Sequence, residues 1–539
     1  MSVAAFGGML SLDGQRVPLL SGEVHFWRHD PASWEPILSR VVAEGIPIVA
    51  TYLSWRRHEP LEGTFDFDGR TDPRLDVRRF LELCARHGLL VHLKPGPWIC
   101  AEEAAGGYPA WLLADPSVWE RDVHGRPVQG YNPPFNHPVP AYLHPRYLEP
   151  ARRWLGAVGD RLADLAWPAG PIAMVQLDNE PSHCFRDNPL EAGHHPLTQA
   201  TYRQSGRRSW ADFQSWLLAE HLRRLRSALS EHGLGDLLFT ANTNEHRVPT
   251  VPQDPAALRL AIKGIAGEDL YYQPPLGGRD LTRVALAAAL ALADESPLPW
   301  APEIQAGIWR SPGVAIDYPD PTPNEQRLWY HAAFAFGLRG LNFYMLADRE
   351  NWDLAPIGAA GQPTAFIEPL RDAVRVVKAF PEWGALRPVS NVALAWRRHD
   401  LEAAWSDGGL AARRTLVAFS RLVRGGNVVA IWDVERAPKP ALPVVDPLAD
   451  DAGPAFARPA VAAAAPVLAL LQRGGGAEAL FVLNPRRRAT PVTLRFADRR
   501  EGRLIPVADD GPPLVLREGR AGLTLAPLGT AVFRVESPS

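Results

Sequence analysis

Over the first two thirds of the chain, short apolar runs alternate with longer amphipathic ones. Runs rich in β-branched and aromatic residues, bounded by Gly or Pro, predict strands. They fall at Leu19–Trp27, Pro47–Trp55, Leu89–Pro95, Gly170–Asp178, Asp236–Asn242, Leu260–Ile265, Pro299–Gln305 and Leu341–Leu346. The segments between them place apolar residues at i, i+3 and i+4, the spacing of a helix with one buried face. WEPILSRVVAEG and RLDVRRFLELCARHG each end in a glycine, Gly45 and Gly88, as helices commonly do. WADFQSWLLAEHLRRLRSALSEHG, DLTRVALAAALALADES, NEQRLWYHAAFAFGLRG and EPLRDAVRVVKAF continue the pattern. Repeated strand–helix units predict an α/β chain folded as a (β/α)8 TIM barrel over residues 1–385. A doubly wound open sheet is the rival, but strand one ends in GEVHFWRHD without a Gly-rich phosphate turn.

The pattern changes after residue 385. Residues 386–465 read strand (VALAW), helix (LVAFSRLVRGG) and strand (VVAIWDVE), followed by a Pro- and Asp-rich loop. This predicts a small α/β module. Residues 466–539 contain short alternating runs such as VLALLQ, EALFVLN and PVTLRF, which predict a C-terminal β-sandwich. The last tryptophan is Trp432, so the sandwich offers no Trp cluster for a sugar and reads as structural.

A chain of 539 residues accommodates such a multidomain arrangement. Net charge is −3, which gives no electrostatic case for nucleic acid or an anionic membrane surface as partner. The amino terminus shows no signal-peptide pattern, so a cytoplasmic location is expected. Cys84, Cys100 and Cys184 are too sparse for a disulfide framework or a Cys-based zinc site. His194 and His195 lack a third ligand at useful spacing and read as a loop; no metal and no cofactor is expected. Only four of the 57 basic residues are Lys (Lys94, Lys263, Lys378, Lys439), a bias consistent with a GC-rich genome. There are also 18 Trp. Large aromatics fill cores, but they also line sugar sites. Trp27, Trp55, Trp98, Trp111, Trp309 and Trp352 lie at strand ends or in the loops that follow, and are expected around the barrel mouth.

In such barrels the chemistry sits at the C-terminal ends of the strands. The polar residues there lie in TYLSWRRHEP, LKPGPWICAEE, VQLDNEPSH, ANTNEH, GEDLYY, APEIQAGIW and FYMLADRENW. Two carboxylates stand out. Glu180 ends strand four and Glu303 lies in strand seven, across the mouth from each other. Cleaving a glycosidic bond requires one carboxyl to protonate the leaving oxygen and another to attack the anomeric carbon or activate water. Each is also open to a plainer reading, as a strand-end carboxylate paired with an Arg. Asn179, beside Glu180, is suited to hold a sugar hydroxyl. Lys94 reads equally as a ligand contact or as a buried charge balancing Glu102 or Glu59.

These motifs resemble family 35 glycoside hydrolases, the β-galactosidase family, over roughly residues 15–355 and most densely in the first 180. SGEVHFWRHDPASWEPIL resembles the family's opening strand and helix. TYLSWRRHEPLEGTFDFDG resembles its Tyr-Val-x-Trp-x-x-His-Glu-Pro segment. LKPGPWICAEEAAGGYPAWLL resembles its Arg-Pro-Gly-Pro-Tyr-Ile-Cys-Ala-Glu-Trp segment, and GPIAMVQLDNE its acid/base signature. The resemblance implies Glu180 as general acid/base and Glu303 as nucleophile. It implies Tyr52, Ala101, Glu102 and Asn179 as sugar contacts, with Tyr344 near the site. Glu59, Lys94, Cys100, Asp178 and Trp352 complete the candidate substrate-binding residues.

Departures from the family pattern are Lys94 for Arg, Trp98 for Tyr, Glu103 for Trp and Asp178 for Glu. ADRENW and the compact module after residue 385 resemble family 42 β-galactosidases, where such a module supports trimers. It is short here for that role, and a homo-oligomer stays an open expectation. The implied function is a retaining, exo-acting β-galactosidase acting on an oligosaccharide or β-glycoside, its two carboxyls about 5–5.5 Å apart. The alternatives are an exo-β-glucosaminidase, with Asp178 or Glu103 accepting from the substrate amine, a transglycosylase, or an inactive sugar-binding protein.

Overall fold

The computed structural model describes residues 3–132, 135–181, 192–244, 254–310, 319–398, 409–449, 458–464, 466–508 and 511–537. Cys184 lies outside the described residues. Among the described residues no helix is long and apolar enough to cross a membrane.

Eight parallel strands form the barrel. They are β1 (Leu20–Glu23), β2 (Ile48–Tyr52), β3 (Leu90–Lys94), β4 (Ile172–Gln176), β5 (Leu238–Thr243), β6 (Ile265–Glu268), β7 (Trp300–Gln305) and β8 (Gly340–Tyr344). β1 to β6 pair in sequence, β7 pairs with β8, and β8 pairs back onto β1. The circle closes between β6 and β7 just beyond the end of β6. Leu270 N–H donates to Glu303 O at 2.8 Å, and Gln305 N–H donates to Leu270 O at 3.0 Å. That seam ties the residues after β6 to the strand that carries Glu303.

Eight helices follow the strands around the outside: α1 (Pro31–Ala43), α2 (Val77–Arg86), α3 (Pro145–Leu162), α4 (Trp210–Leu229), α5 (Pro255–Ile262), α6 (Gly278–Ala293), α7 (Pro323–Phe336) and α8 (Ile367–Lys378). Their starts are written locally. Asp30, Asp76, Ser209 and Asp254 each cap a helix by accepting an N–H of its first turn. Thr322 and Glu325 form a reciprocal capping box ahead of α7.

The sixth strand corrects the reading from sequence. Leu260–Ile265 is not a strand: its first half is the end of α5, and β6 starts at Ile265. A short apolar run does not by itself separate a buried helix from a strand. The deciding signals are Asp254–Pro255 at the helix start and Lys263, left-handed at φ 51°, at its end.

An amino-terminal antiparallel sheet (Val3–Phe6, Met9–Leu12, Gln15–Val17) covers the bottom of the barrel. Its Val3, Leu10 and Leu12 pack with Leu19, Ile48, Met174, Leu238, Ile265 and Trp300. The small module is a three-stranded parallel sheet (Val392–Trp396 between Val429–Asp433 and Val444–Val445) with the helix Leu410–Arg424. Arg398 anchors it to the barrel through Asp254 at 3.1 Å and through Asp294. The sandwich has a six-stranded and a three-stranded sheet enclosing Leu471, Leu480, Val492, Leu494, Phe496 and Phe533. Both ends of the 386–465 segment are drawn into it: Arg387–Pro388 adds an edge strand to the larger sheet, and Val461–Ala462 to the smaller.

Barrel and sandwich share a polar seam. Arg339, fully buried, donates to Leu386 O (2.7 and 3.0 Å), Leu338 O (2.7 Å), Phe334 O (3.3 Å) and Gln472 Oε1 (2.7 Å). Gln472 in turn donates to Phe334 O and Ala335 O at the end of α7. The Arg339 guanidinium also lies 4.7 Å from the Trp383 ring. Arg339→Met leaves Leu338 O and Gln472 Oε1 without this donor, a loss of about 3 kcal/mol. A fall in the urea midpoint against wild type is the expected readout.

Candidate active site

Glu303 sits near the end of β7, nearly buried, at the centre of a polar cluster. Tyr271 OH donates to its Oε2 at 2.5 Å. Tyr52 OH is 2.8 Å from its Oε1. Lys94 Nζ lies 3.6 Å from the same oxygen and also contacts Glu23. Burial pushes Glu303 up to about 7; Lys94 and the two tyrosine hydroxyls pull the other way. Burial also works against the Lys94 charge, yet Glu23 and Glu303 more than offset it, so the ammonium is held protonated.

Glu180 follows β4, across the mouth. Tyr52 OH links the two sides, reaching Asn179 Oδ1 at 2.6 Å as well as Glu303. Gln176 Nε2 donates to Tyr52 OH at 3.2 Å. Asn242, on β5, donates to Asn179 Oδ1 at 2.7 Å and accepts the Glu180 N–H at 2.8 Å. Glu180 has φ 40° and Asp178 φ 57°. Residues other than glycine in this left-handed region cost about 1–3 kcal/mol each, and such strain gathers at functional sites.

The loop after β3 carries more of it. Cys100, Ala101 and Glu102 have φ of 50°, 47° and 48°. Arg28 Nη2 holds Ala101 O at 2.8 Å. Glu102 accepts from Tyr344 OH at 3.0 Å and pairs with the buried Arg349. Trp98 supports the loop from below: a Cβ on Gly106, itself at φ 61°, would lie 1.6 Å from the Trp98 ring. Burial, together with the charge of Glu102, pushes the Cys100 thiol well up, so it stays neutral. Aromatic rings line the rest. Tyr344 meets Trp352 edge-on at 5.0 Å, Tyr271 at 5.9 Å and His25 at 5.8 Å. Trp352 Nε1 donates to Ala306 O at 2.8 Å, fixing the ring beside β7.

Tyr52, Asn179, Glu303 and Lys94 thus form one bonded cluster, and Glu102, Tyr344 and Trp352 form an adjoining wall. Four residues have other duties than those read from sequence. Lys94 is fully buried, and the carboxylates it balances are Glu23 and Glu303 rather than Glu102 or Glu59. Glu59 accepts from Trp55 Nε1 (2.5 Å), Gly63 N–H (2.7 Å) and Arg153 (3.1 Å), which secures the turn after β2. Asp178 spends one oxygen on Trp98 N–H at 2.9 Å and the other on His221 at 3.0 Å. Glu103 is bound by Arg57 at 3.0 Å and Arg28 at 3.5 Å.

Trp27 and Trp55 point inward and are buried. Trp27 bonds Tyr52 O, and Trp55 stacks on Trp154. The Trp excess therefore serves the core as much as the mouth. His195 caps the helix Pro196–Ser205, accepting from Leu197 N–H at 3.1 Å.

Glu23, His25, Asn242, Asp269 and Tyr271 belong to the site without having been singled out in the sequence. Their signal was position alone, at the ends of strands one, five and six. His25 bonds Glu23 at 2.7 Å, and burial, then the charges of Arg349 and Arg28, keep it neutral.

Residues 9–129 match the model of glycosyl hydrolases family 35. An exo-β-D-glucosaminidase of Pyrococcus horikoshii is 38% identical over 186 residues, 34% of this chain and 23% of that protein. A β-galactosidase of Xanthomonas manihotis is 36% identical over 169 residues, 31% of this chain and 24% of that protein. The aligned part spans about a quarter of the length of these relatives. Among solved structures, a β-galactosidase from Bacillus circulans sp. alkalophilus superposes with a TM-score of 0.70 at 14% identity, covering 96% of this chain and 99% of the other. A GH42 β-galactosidase from G. stearothermophilus does so with 0.66 at 11% identity, covering 96% and 98%. Residues 9–129 are thus similar in sequence to family 35 glycosyl hydrolases, and over almost its whole length the chain has the fold of solved β-galactosidases.

Proposed function

We propose that this protein is a retaining, exo-acting glycoside hydrolase that removes terminal β-galactose. The observation that carries the reading is the Glu303 environment. A carboxylate held by Tyr271, Tyr52 and Lys94 is fixed in direction, and these groups oppose the push of burial against its charge, as a nucleophile requires. Glu303 attacks the anomeric carbon while Glu180 protonates the leaving oxygen. Glu180 then takes a proton from the water that releases the sugar. Tyr52 and Asn179 are placed to meet a hydroxyl near the reacting carbon. Glu102, fixed by Arg349 and Tyr344, is placed to accept from the sugar's far side.

A second reading, exo-β-glucosaminidase, draws on the Pyrococcus horikoshii relative. A substrate amine needs an available carboxylate. Asp178 and Glu103, the acceptors suggested by sequence, are taken by Trp98, His221 and arginines, which favours a neutral sugar.

A panel of aryl β-glycosides separates the readings. Release from the β-galactoside with retained configuration is expected; release from the β-glucosaminide alone overturns the galactosidase reading. Turnover of none, with sugar binding intact, identifies an inactive sugar-binding protein. Glu303→Ala and Glu180→Ala are expected to lower kcat/KM by about 10²–10⁴-fold.

The pH profile tests Lys94. The acidic limb of kcat/KM is expected near 7, where Glu303 loses its proton. Lys94 favours the carboxylate, so Lys94→Met raises the Glu303 pKa and moves that limb up by about one pH unit or more. An unmoved limb in folded K94M assigns Lys94 to packing alone. Gly106→Ala drives a methyl into Trp98 and displaces the strained loop. A loss of kcat/KM of about 10²-fold, with an unchanged far-ultraviolet spectrum, is the expected result.

A further inference from the structure

Glu23 has no task in a two-carboxylate mechanism, yet it is fully buried at the end of β1 and shares Lys94 with Glu303. The sharing is unequal. Lys94 Nζ is in direct contact with Glu23 Oε1, whereas it stands 3.6 Å from Glu303 Oε1. Asn342 Nδ2, on β8, donates to the same Glu23 oxygen at 2.8 Å. That amide is locked in direction. Its nitrogen also donates to Pro302 O at 2.7 Å, next to Glu303 in β7, and its oxygen accepts from Ser21 Oγ at 2.8 Å. A carbonyl only accepts, so the group turned to Glu23 is the NH2. His25, held neutral, meets Glu23 Oε2 through Nε2 at 2.7 Å. With the His25 proton on Nε2, three donors converge on two oxygens, which are the surroundings of a carboxylate.

We propose that Glu23 is a positioning residue, the permanent counterion of Lys94, which keeps that buried ammonium paired while Glu303 gives up its charge to the glycosyl ester. This rests on the glycosidase reading above. The groups facing Glu23 are His25 after β1, Tyr52 from β2, Lys94 from β3, Glu303 from β7, Asn342 and Tyr344 from β8, and Arg349 from the loop after β8. Burial pushes the Glu23 carboxyl above its ordinary value; Lys94 leads the opposing pull, followed by Asn342 and Arg349. Glu23 in turn works against the Glu303 charge. Burial, then the charges of Glu303 and Glu180, push Asp269 well above the usual carboxylate range, so it counts as neutral here.

The charges close over the reaction. Before attack, Glu23 and Glu303 are carboxylates, Lys94 is an ammonium and Glu180 carries a proton. A Glu303 oxygen bonds the anomeric carbon, the glycosidic C–O bond breaks, and the Glu180 proton goes to the leaving oxygen. The negative charge has then moved from Glu303 to Glu180, while Lys94 still faces Glu23. When water attacks, its proton goes to Glu180, the ester C–O bond breaks and its electron pair returns to Glu303. Without the Glu23 charge, ester formation would leave the ammonium buried and unpaired, a costly state. Glu23 thus lets the nucleophile turn neutral without a penalty at Lys94.

The test uses the full chain and Glu23→Gln, which keeps the shape and removes the charge. A like-charged neighbour raises a carboxyl pKa, so its removal moves the acidic limb of kcat/KM to lower pH by about one unit, opposite to Lys94→Met. Glu23→Asp keeps the charge and is expected to keep the limb in place. Because the unpaired ammonium destabilises the ester, kcat/KM for aryl glycosides falls about tenfold, while the ester trapped with a 2-deoxy-2-fluoro glycoside breaks down about tenfold faster than in wild type. An unmoved limb with an equally long-lived ester overturns the proposal and leaves Glu23 structural. Urea midpoints give a readout without turnover, with Glu303→Gln standing for the neutral ester. Glu23→Gln combined with Glu303→Gln is expected to lower the midpoint by more than the two single variants together, and adding Lys94→Met to restore it. Additive midpoints, or a triple variant no more stable than the double, overturn the proposal. If no glycoside is turned over, the glycosidase reading falls on its own, and the midpoints still decide whether Glu23 is the ammonium's counterion.

Discussion

The site depends on one buried cation. Glu23, Asp269 and Glu303 are packed into the mouth of a single barrel with little solvent, and removing a charge from water is costly unless it is paired. Lys94 supplies the compensating charge, touching Glu23 and Glu303 and opposing the upward push on Asp269. Around it the neutral donors are ordered: Asn342 on Glu23, Tyr271 and Tyr52 on Glu303, Asn242 on Asp269. An arginine would bring a planar fork with several donors in fixed directions. A point charge on a flexible stem lets Glu23 and Glu303 approach from two sides.

A second layer of charge holds the loops rather than the reacting groups. Arg28 spans Ala101 O, Glu103 and Glu350, while Arg349 clamps Glu102. These contacts hold three consecutive left-handed residues in place. The arginine-rich composition, read from sequence as a genome bias, includes these strain-holding members at the mouth.

The barrel was legible because its strands are fully buried on both faces, which gives continuous apolar runs, and because Gly, Pro and capping residues mark its helices. Only the sixth strand was misplaced, where LRLAI satisfies strand length and helix burial alike. Glu180, Glu303 and Tyr52 were legible because each lies in a strand-end motif. Asn242, Asp269 and Tyr271 were not, because their role comes from the closure of β6 on β7, a contact between segments that a linear pattern does not display. Lys94 was noticed as a rare residue, but its partner Glu23 lies 71 positions away. Asp178 and Glu103 misled for the converse reason: a carboxylate in sequence does not announce that its oxygens are already taken.

The Arg339–Gln472 seam bears on the order of synthesis. Gln472 enters the chain more than a hundred residues after the α7 carbonyls it satisfies. A ribosome that has released the whole barrel has still not delivered that donor. The Ala335 carbonyl then lacks its side-chain donor until the first strands of the sandwich emerge. The carboxyl-terminal sandwich thereby acts as a latch on a barrel translated long before it.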